Sequence, residues 1–190
     1  MTTITIIGTG NMAHAIGGVL ADGGASVQYV GHGENTPVQG DTAILAVPYP
    51  AVDDVLATYG DQLDGRVVVD ITNPLDFTTF DSLVVPSDSS ATAQIAARVP
   101  GAKVLKAFNT TFAATLSAKT VGGLPTTVLV AGDDTDAKTA LIGAITAGGV
   151  SAVDAGALSR ARELEAVGFL QLTLAVGEKL PWTGGFAVAR

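Results

Sequence analysis

Ile4-Thr5-Ile6-Ile7-Gly8-Thr9-Gly10-Asn11-Met12-Ala13 decides the fold: an apolar strand pattern runs into G-x-G-x-x-A and then into a helical pattern. Gly8 lets the chain leave the strand through a tight turn. Gly10 removes the side chain that would keep a diphosphate off the amides, and Ala13 lets helix pack closely on strand. The helix starting near Asn11 offers unpaired N–H groups and the positive end of its dipole to phosphate. Alone the pattern is weak, but a β-rich strand precedes it and an amphipathic stretch with Ile16, Val19 and Leu20 follows. The expectation is a bound dinucleotide.

Working outward, strand-like runs recur at Thr3–Ile7, Ser26–Val30, Thr42–Val47, Arg66–Ile71, Lys103–Phe108, Thr126–Ala131 and Val150–Asp154. Several are almost wholly apolar, as strands buried on both faces of a parallel sheet must be. Pro50–Leu63, Ser89–Val99 and Asp133–Ala147 have the lengths of crossover helices. The alternation predicts an α/β protein, a Rossmann-type doubly wound, mainly parallel sheet with a shortened second half-unit. Only Gly31–Asp41 separates the second and third runs, too little for a helix and a strand, so a loop and a shallow adenine side are expected there. A long C-terminal helix is expected over about Leu158–Lys179, either completing the core or pairing two subunits in a homodimer.

At 190 residues and 47% hydrophobic content, one NAD(P)-binding domain spanning residues 1–190 is expected, with the C-terminal helix and tail over about 157–190. A net charge of −8, ten Lys plus Arg and no basic run disfavour nucleic acid and anionic membranes as partners. With no cysteine, disulfides, thiolate catalysis, Fe–S clusters and Cys-ligated zinc are excluded. No metal site is expected. The amino terminus lacks a basic leader region, and the mean hydropathy of +0.42 is spread over buried elements rather than one span, so a cytoplasmic protein is expected.

Further pointers lie at strand exits, where open α/β sheets bind ligands. Ala46-Val47-Pro48-Tyr49-Pro50, Asp70-Ile71-Thr72-Asn73-Pro74-Leu75 and Lys106-Ala107-Phe108-Asn109-Thr110-Thr111 each leave a strand through a rigid or polar turn. Methyl transfer from S-adenosylmethionine gives the first two of these exits no role. An NAD-selective fold carries an acid at the end of its second strand. Here that end reads Tyr29-Val30-Gly31-His32-Gly33-Glu34, with Glu34 further along the loop and no arginine for a 2′-phosphate. The possible donors to a 2′-phosphate are His32, Asn35, Thr36 and loop amides, and NADP(H) is preferred over NAD only together with the family resemblance that the motifs carry.

G-T-G-N-M-A, A-V-P-Y-P, D-I-T-N-P-L and L-K-A-F-N-T-T, in this order and spacing, resemble the family of F420-dependent NADP oxidoreductases, the deazaflavin-dependent NADP reductases and their small relatives. The resemblance runs from Ile4 to about Leu174. It implies that Gly8, Thr9, Gly10, Asn11 and Met12 hold the pyrophosphate and Gly31 and His32 the adenosine phosphate side. Ala46, Val47, Pro48, Asn73 and Pro74 would then lie along the nicotinamide ribose, with Asn109 and Thr110 near the nicotinamide. The chain departs from that family in lacking its Ser-Arg type pair after the second strand.

The expected activity is hydride transfer between bound nicotinamide and a small redox acceptor, a flavin or deazaflavin, ferric chelate or quinone. No acid–base constellation stands out: the histidines are His14 and His32, and His14 is expected to face solvent. No individual catalytic residue is assigned. The rivals are a non-catalytic NADP(H)-binding redox sensor and a pyrroline-5-carboxylate reductase-like enzyme, whose family also opens on G-x-G-N-M-A.

Overall fold

The computed structural model describes residues 2–31 and 33–189. In chain order they form β1 (Thr3–Ile7), α1 (Asn11–Asp22), β2 (Ser26–Val30), β3 (Thr42–Leu45), α2 (Val52–Tyr59), β4 (Val67–Asp70), α3 (Ala91–Arg98), β5 (Lys103–Lys106), α4 (Ala113–Ala118), β6 (Thr120–Val121), β7 (Leu124–Pro125), β8 (Thr127–Gly132), α5 (Thr135–Ala147), β9 (Ser151–Gly156) and α6 (Ala161–Val176). Seven strands make one sheet in the order β2-β1-β3-β4-β5-β8-β9. Every neighbouring pair is parallel except β5 with β8. All seven expected strands are present, several one or two residues shorter at their exits. The small β6–β7 hairpin was not expected.

Alternation along the strands divides the core. Ile4 and Ile6 of β1, Ile44 of β3, Val69 of β4 and Leu105 of β5 face a cluster that includes Ile16 and Leu20 of α1, Leu116 of α4 and Ile145 of α5. Ile7, Ala43, Leu45, Val68 and Val104 face the opposite cluster, with Leu56 of α2 and Ile95 of α3. The long C-terminal helix packs beside α3 and β8. Its buried positions are Ala161, Leu164, Glu165, Gly168, Gln171 and Ala175, while Leu170 and Val176 stay exposed.

Residues 33–41 form no regular element, as the length of the connection requires. They lie over the face of β1 and β2 that a crossover helix would otherwise cover. Thr5 Oγ1 donates to the Gln39 carbonyl at 2.8 Å, and the Gln28 side chain donates to the Pro37 carbonyl at 3.2 Å. Val38 is buried against the α2 side of the core. A threonine and a glutamine on adjacent strands thus replace the apolar face that a helix would have needed.

No helix among the described residues is long and apolar enough to cross a membrane. No group of three or more metal-ligating side chains was found among them.

Candidate functional site

The order β2-β1-β3 makes β1 the point where the winding reverses, and ligands in open α/β sheets bind at the strand carboxyl ends there. Gly8 follows β1 with φ +130°, and a Cβ at that position would overlap the Ala46 carbonyl. Glycine is required on both counts. At Gly10 the space a Cβ would enter is open, so backbone is exposed to an incoming group. Gly10 also caps α1, with no side-chain cap hydrogen bond and no acidic residue in the first turn. The first amides of a 12-residue helix therefore face the turn without a protein acceptor in competition. This geometry fits a diphosphate.

Two cavities flank the turn. One, of about 480 Å³, lies at the exits of β1, β2 and β3 and is lined by Gly8, Thr9, Gly10, Gly31, Glu34 and Ala46 among others. The other, of about 440 Å³, lies at the exits of β4 and β5, between Asn11 and Met12 on one side and Phe112 and Trp182 on the other. The short connection does not close the sheet edge beside β2, where the first cavity opens. The cavity beside β2 is the slightly larger one, because the loop drapes along the sheet face and leaves the strand exit open.

The second cavity rests on a pair of amides. Asn109 Nδ2 donates to Asn73 Oδ1 at 3.0 Å and to the Leu164 carbonyl at 2.8 Å, while Asn73 Nδ2 donates to the Asn109 carbonyl at 3.0 Å. Asn109 Oδ1 is buried and has no protein partner, an acceptor left free beside the cavity. Phe108, which precedes it, is fully buried with φ +64°. A bulky side chain in the left-handed region is strained and turns the β5 exit sharply, which aims Asn109 back at Asn73. Gly168 of α6 makes room for the pair, since a Cβ there would overlap Asn73 Oδ1 and stand 2.9 Å from Asn109 Nδ2. Trp182 of the tail reaches the same wall, its ring centroid 5.0 Å from that of Phe112.

Behind these amides lies a charged cluster closed off from water. Asp70 and Lys106 are paired in register at the ends of β4 and β5. Lys106 Nζ donates to Asp70 Oδ2 at 2.8 Å, to Glu165 Oε1 of α6 at 3.0 Å and to the Thr72 carbonyl at 2.6 Å. Thr92 Oγ1 lies 2.7 Å from Asp70 Oδ2, and Glu165 also accepts from the backbone amide of Ala91 at 2.9 Å. The cluster joins both strand ends to α3 and α6 and so fixes the turn that carries Asn73. Nearby, burial first and then Asp53, Glu165 and Asp70 hold the Tyr49 hydroxyl above its usual pKa.

No protein-family model matches the chain. Against known proteins, it is 29% identical over 171 residues to the F420-dependent NADP reductase of Methanocaldococcus jannaschii, covering 87% of this chain and 76% of that one. The chain resembles the F420-dependent NADP reductases. It is also 35% identical over 112 residues to the metalloreductase STEAP3 of Rattus norvegicus, covering 59% of this chain but only 22% of that protein. A solved structure provisionally assigned as an F420-dependent NADP reductase, from Arthrobacter sp. FB24, superposes with a TM-score of 0.84 over 98% of this chain and 99% of its own, at 24% identity. That likeness concerns the fold.

The expected site residues divide between the two cavities. Gly8, Thr9, Gly10, Gly31, Ala46, Val47 and Pro48 line the first, so the Ala46–Pro48 exit stands beside Gly31 rather than with Asn73. Asn11, Met12, Asn73 and Asn109 line the second. Pro74 and Thr110 line neither; Thr110 is buried, and Thr111 takes the lining position instead. His32 lies outside the described residues. His14 is exposed, its ring 4.8 Å from that of Tyr29. Sequence reasoning missed Gly168 and Glu165, and set Glu34 aside as lying too far along the loop. A glycine and a glutamate inside an apolar helix were signals for the first two; for Glu34, only the folded loop shows its position.

Proposed function

We propose that the chain is an NADP(H)-dependent oxidoreductase that passes hydride between the nicotinamide and a flat acceptor of the flavin or deazaflavin class. The pyrophosphate lies on the amides after Gly8 and Gly10, the adenosine in the cavity between Gly31 and Pro48, and the nicotinamide in the cavity over Asn73 and Asn109. Asn73 and Asn109, which line that cavity, would hold the carboxamide of the nicotinamide. The bound nicotinamide supplies the hydride chemistry. The chain supplies orientation and exclusion of water.

One observation carries the reading. The nicotinamide-side cavity is lined by Met12, Ile71, Phe108, Phe112, Leu172 and Trp182 with amides and hydroxyls, and no ionisable side chain lines it among the described residues. Reduction of a carbonyl or imine calls for a proton donor at the reacting atom. Hydride exchange with a conjugated ring whose proton comes from solvent does not, and a ring can stack on Trp182.

The test is oxidation of NADPH, followed at the nicotinamide absorbance band, with deazaflavin, flavins and ferric chelates offered in turn. Turnover with a deazaflavin or flavin is expected. Binding of NADPH without turnover on any acceptor would instead favour a redox sensor, and no binding would overturn the dinucleotide assignment itself.

A further inference from the structure

We infer that Glu34 sets the nucleotide preference of the adenosine-side cavity by occupying the place where a 2′-phosphate must sit. This rests on the nucleotide-binding reading above. In sequence Glu34 lies well past the end of β2. In the fold its Oε2 accepts from the Gly31 amide at 3.0 Å, and its carbonyl accepts from the Tyr59 hydroxyl. A Cβ on Gly31 would stand 2.9 Å from Glu34 Oε1, so the carboxylate lies directly over the residue at the strand exit. The loop has thus returned an acid to the position from which a dinucleotide fold reads the ribose.

The charge of the cavity follows. Glu34 and Asp54 both line it, and no lysine or arginine does among the described residues. A carboxylate accepts hydrogen bonds from a ribose diol and repels a phosphate at the same place. The Gly31 amide, a donor a 2′-phosphate could use, is already taken by Glu34. NADP(H) must therefore break the Glu34–Gly31 bond and turn the side chain outward, whereas NAD(H) leaves the bond in place and uses the second carboxylate oxygen. Glu34 is a built-in competitor of the 2′-phosphate, and it narrows the preference for NADP(H) over NAD(H).

The test compares dissociation constants for NADPH and NADH in the wild-type chain and in Glu34→Gln, which keeps an oxygen for the Gly31 amide but removes the charge. NADPH should bind about threefold to fivefold tighter in the variant, as expected for relief of one like-charge contact near the surface, while NADH should bind more weakly, because the amide nitrogen that replaces the second oxygen cannot accept from the ribose diol. Added salt should shrink the difference. Glu34→Ala, measured with 2′,5′-ADP against 5′-ADP, checks the same discrimination on fragments that do not reach the nicotinamide side. An unchanged NADPH-to-NADH ratio, or weaker NADPH binding in Glu34→Gln with an unaltered melting temperature, overturns the assignment to Glu34. If neither nucleotide binds the wild-type chain, the dinucleotide reading fails first and takes this inference with it.

Discussion

Replacing Lys106 by methionine puts the charged cluster behind the site to a quantitative test. Lys106 is fully buried, and so are its partners Asp70 and Glu165. Methionine fills much of the lysine stem's volume but leaves two carboxylates facing each other across the vacated position, with Thr92 as their shared donor. At a separation of roughly 5 Å and an effective dielectric of about 20, their repulsion is about 3 kcal/mol. That agrees with the roughly 3–5 kcal/mol lost when one member of a buried ion pair is removed. Urea unfolding at pH 7 should show Lys106→Met destabilised by about 3 kcal/mol. The triple variant Asp70→Asn, Lys106→Met, Glu165→Gln should recover most of it, because the charges leave together. Lys106 also holds the Thr72 carbonyl, so the surviving folded fraction of the single variant should transfer hydride more slowly through a displaced Asn73. A loss below about 1 kcal/mol in Lys106→Met, or a triple variant no more stable than the single one, would refute the reasoning.

Gly168→Ala should slow hydride transfer while leaving NADPH affinity within about threefold, because the added methyl displaces the Asn73–Asn109 pair and not the phosphate turn. The helix gains about 1 kcal/mol from losing a glycine, against about 1–3 kcal/mol for overpacking. A faster or unchanged rate together with a raised melting temperature would show that the pair tolerates the methyl. Asp154 contributes to the acid dependence: its pKa is lowered by the hydrogen bond from Lys138 Nζ and then by that from the Gly156 amide. A folded pKa below the unfolded value of about 3.9 contributes stability that is full above it and lost as pH falls through the folded pKa. The melting temperature gap between wild type and Asp154→Asn should therefore shrink from pH 7 to pH 3, and a constant gap would sink the claim.

The fold was legible because its information is local. The apolar runs that mark β1, β3 and β4 are buried on both faces, and their ends are punctuated by glycine, proline or asparagine. The short stretch after Val30 could hold no helix, and chain length alone settled that. The β6–β7 hairpin escaped because two-residue strands carry no period to read. The antiparallel β5–β8 pairing escaped too, since strand direction depends on how α4 and that hairpin turn the chain.

The site was legible only in its backbone. Glycines at the turn declare themselves, because a required φ or a close approach excludes other residues at one position. The partners of Asn109 do not, because its contacts come from Asn73 after β4 and from Leu164 of α6, with Gly168 of the same helix leaving room for the pair. Glu34 shows the same limit more sharply. Counted along the chain it is a loop acid too late for the strand end, yet Gly33, with φ +76°, turns the loop back and sets its carboxylate on Gly31. Spacing rules for ribose recognition assume that distance along the chain measures distance from the strand, and a turn of three residues undoes that assumption. The chemistry of the adenosine side therefore belongs to the loop's path rather than to its composition. A glycine-to-alanine change at 33, strained at that φ, should release Glu34 and shift nucleotide preference in the same direction as removing its charge.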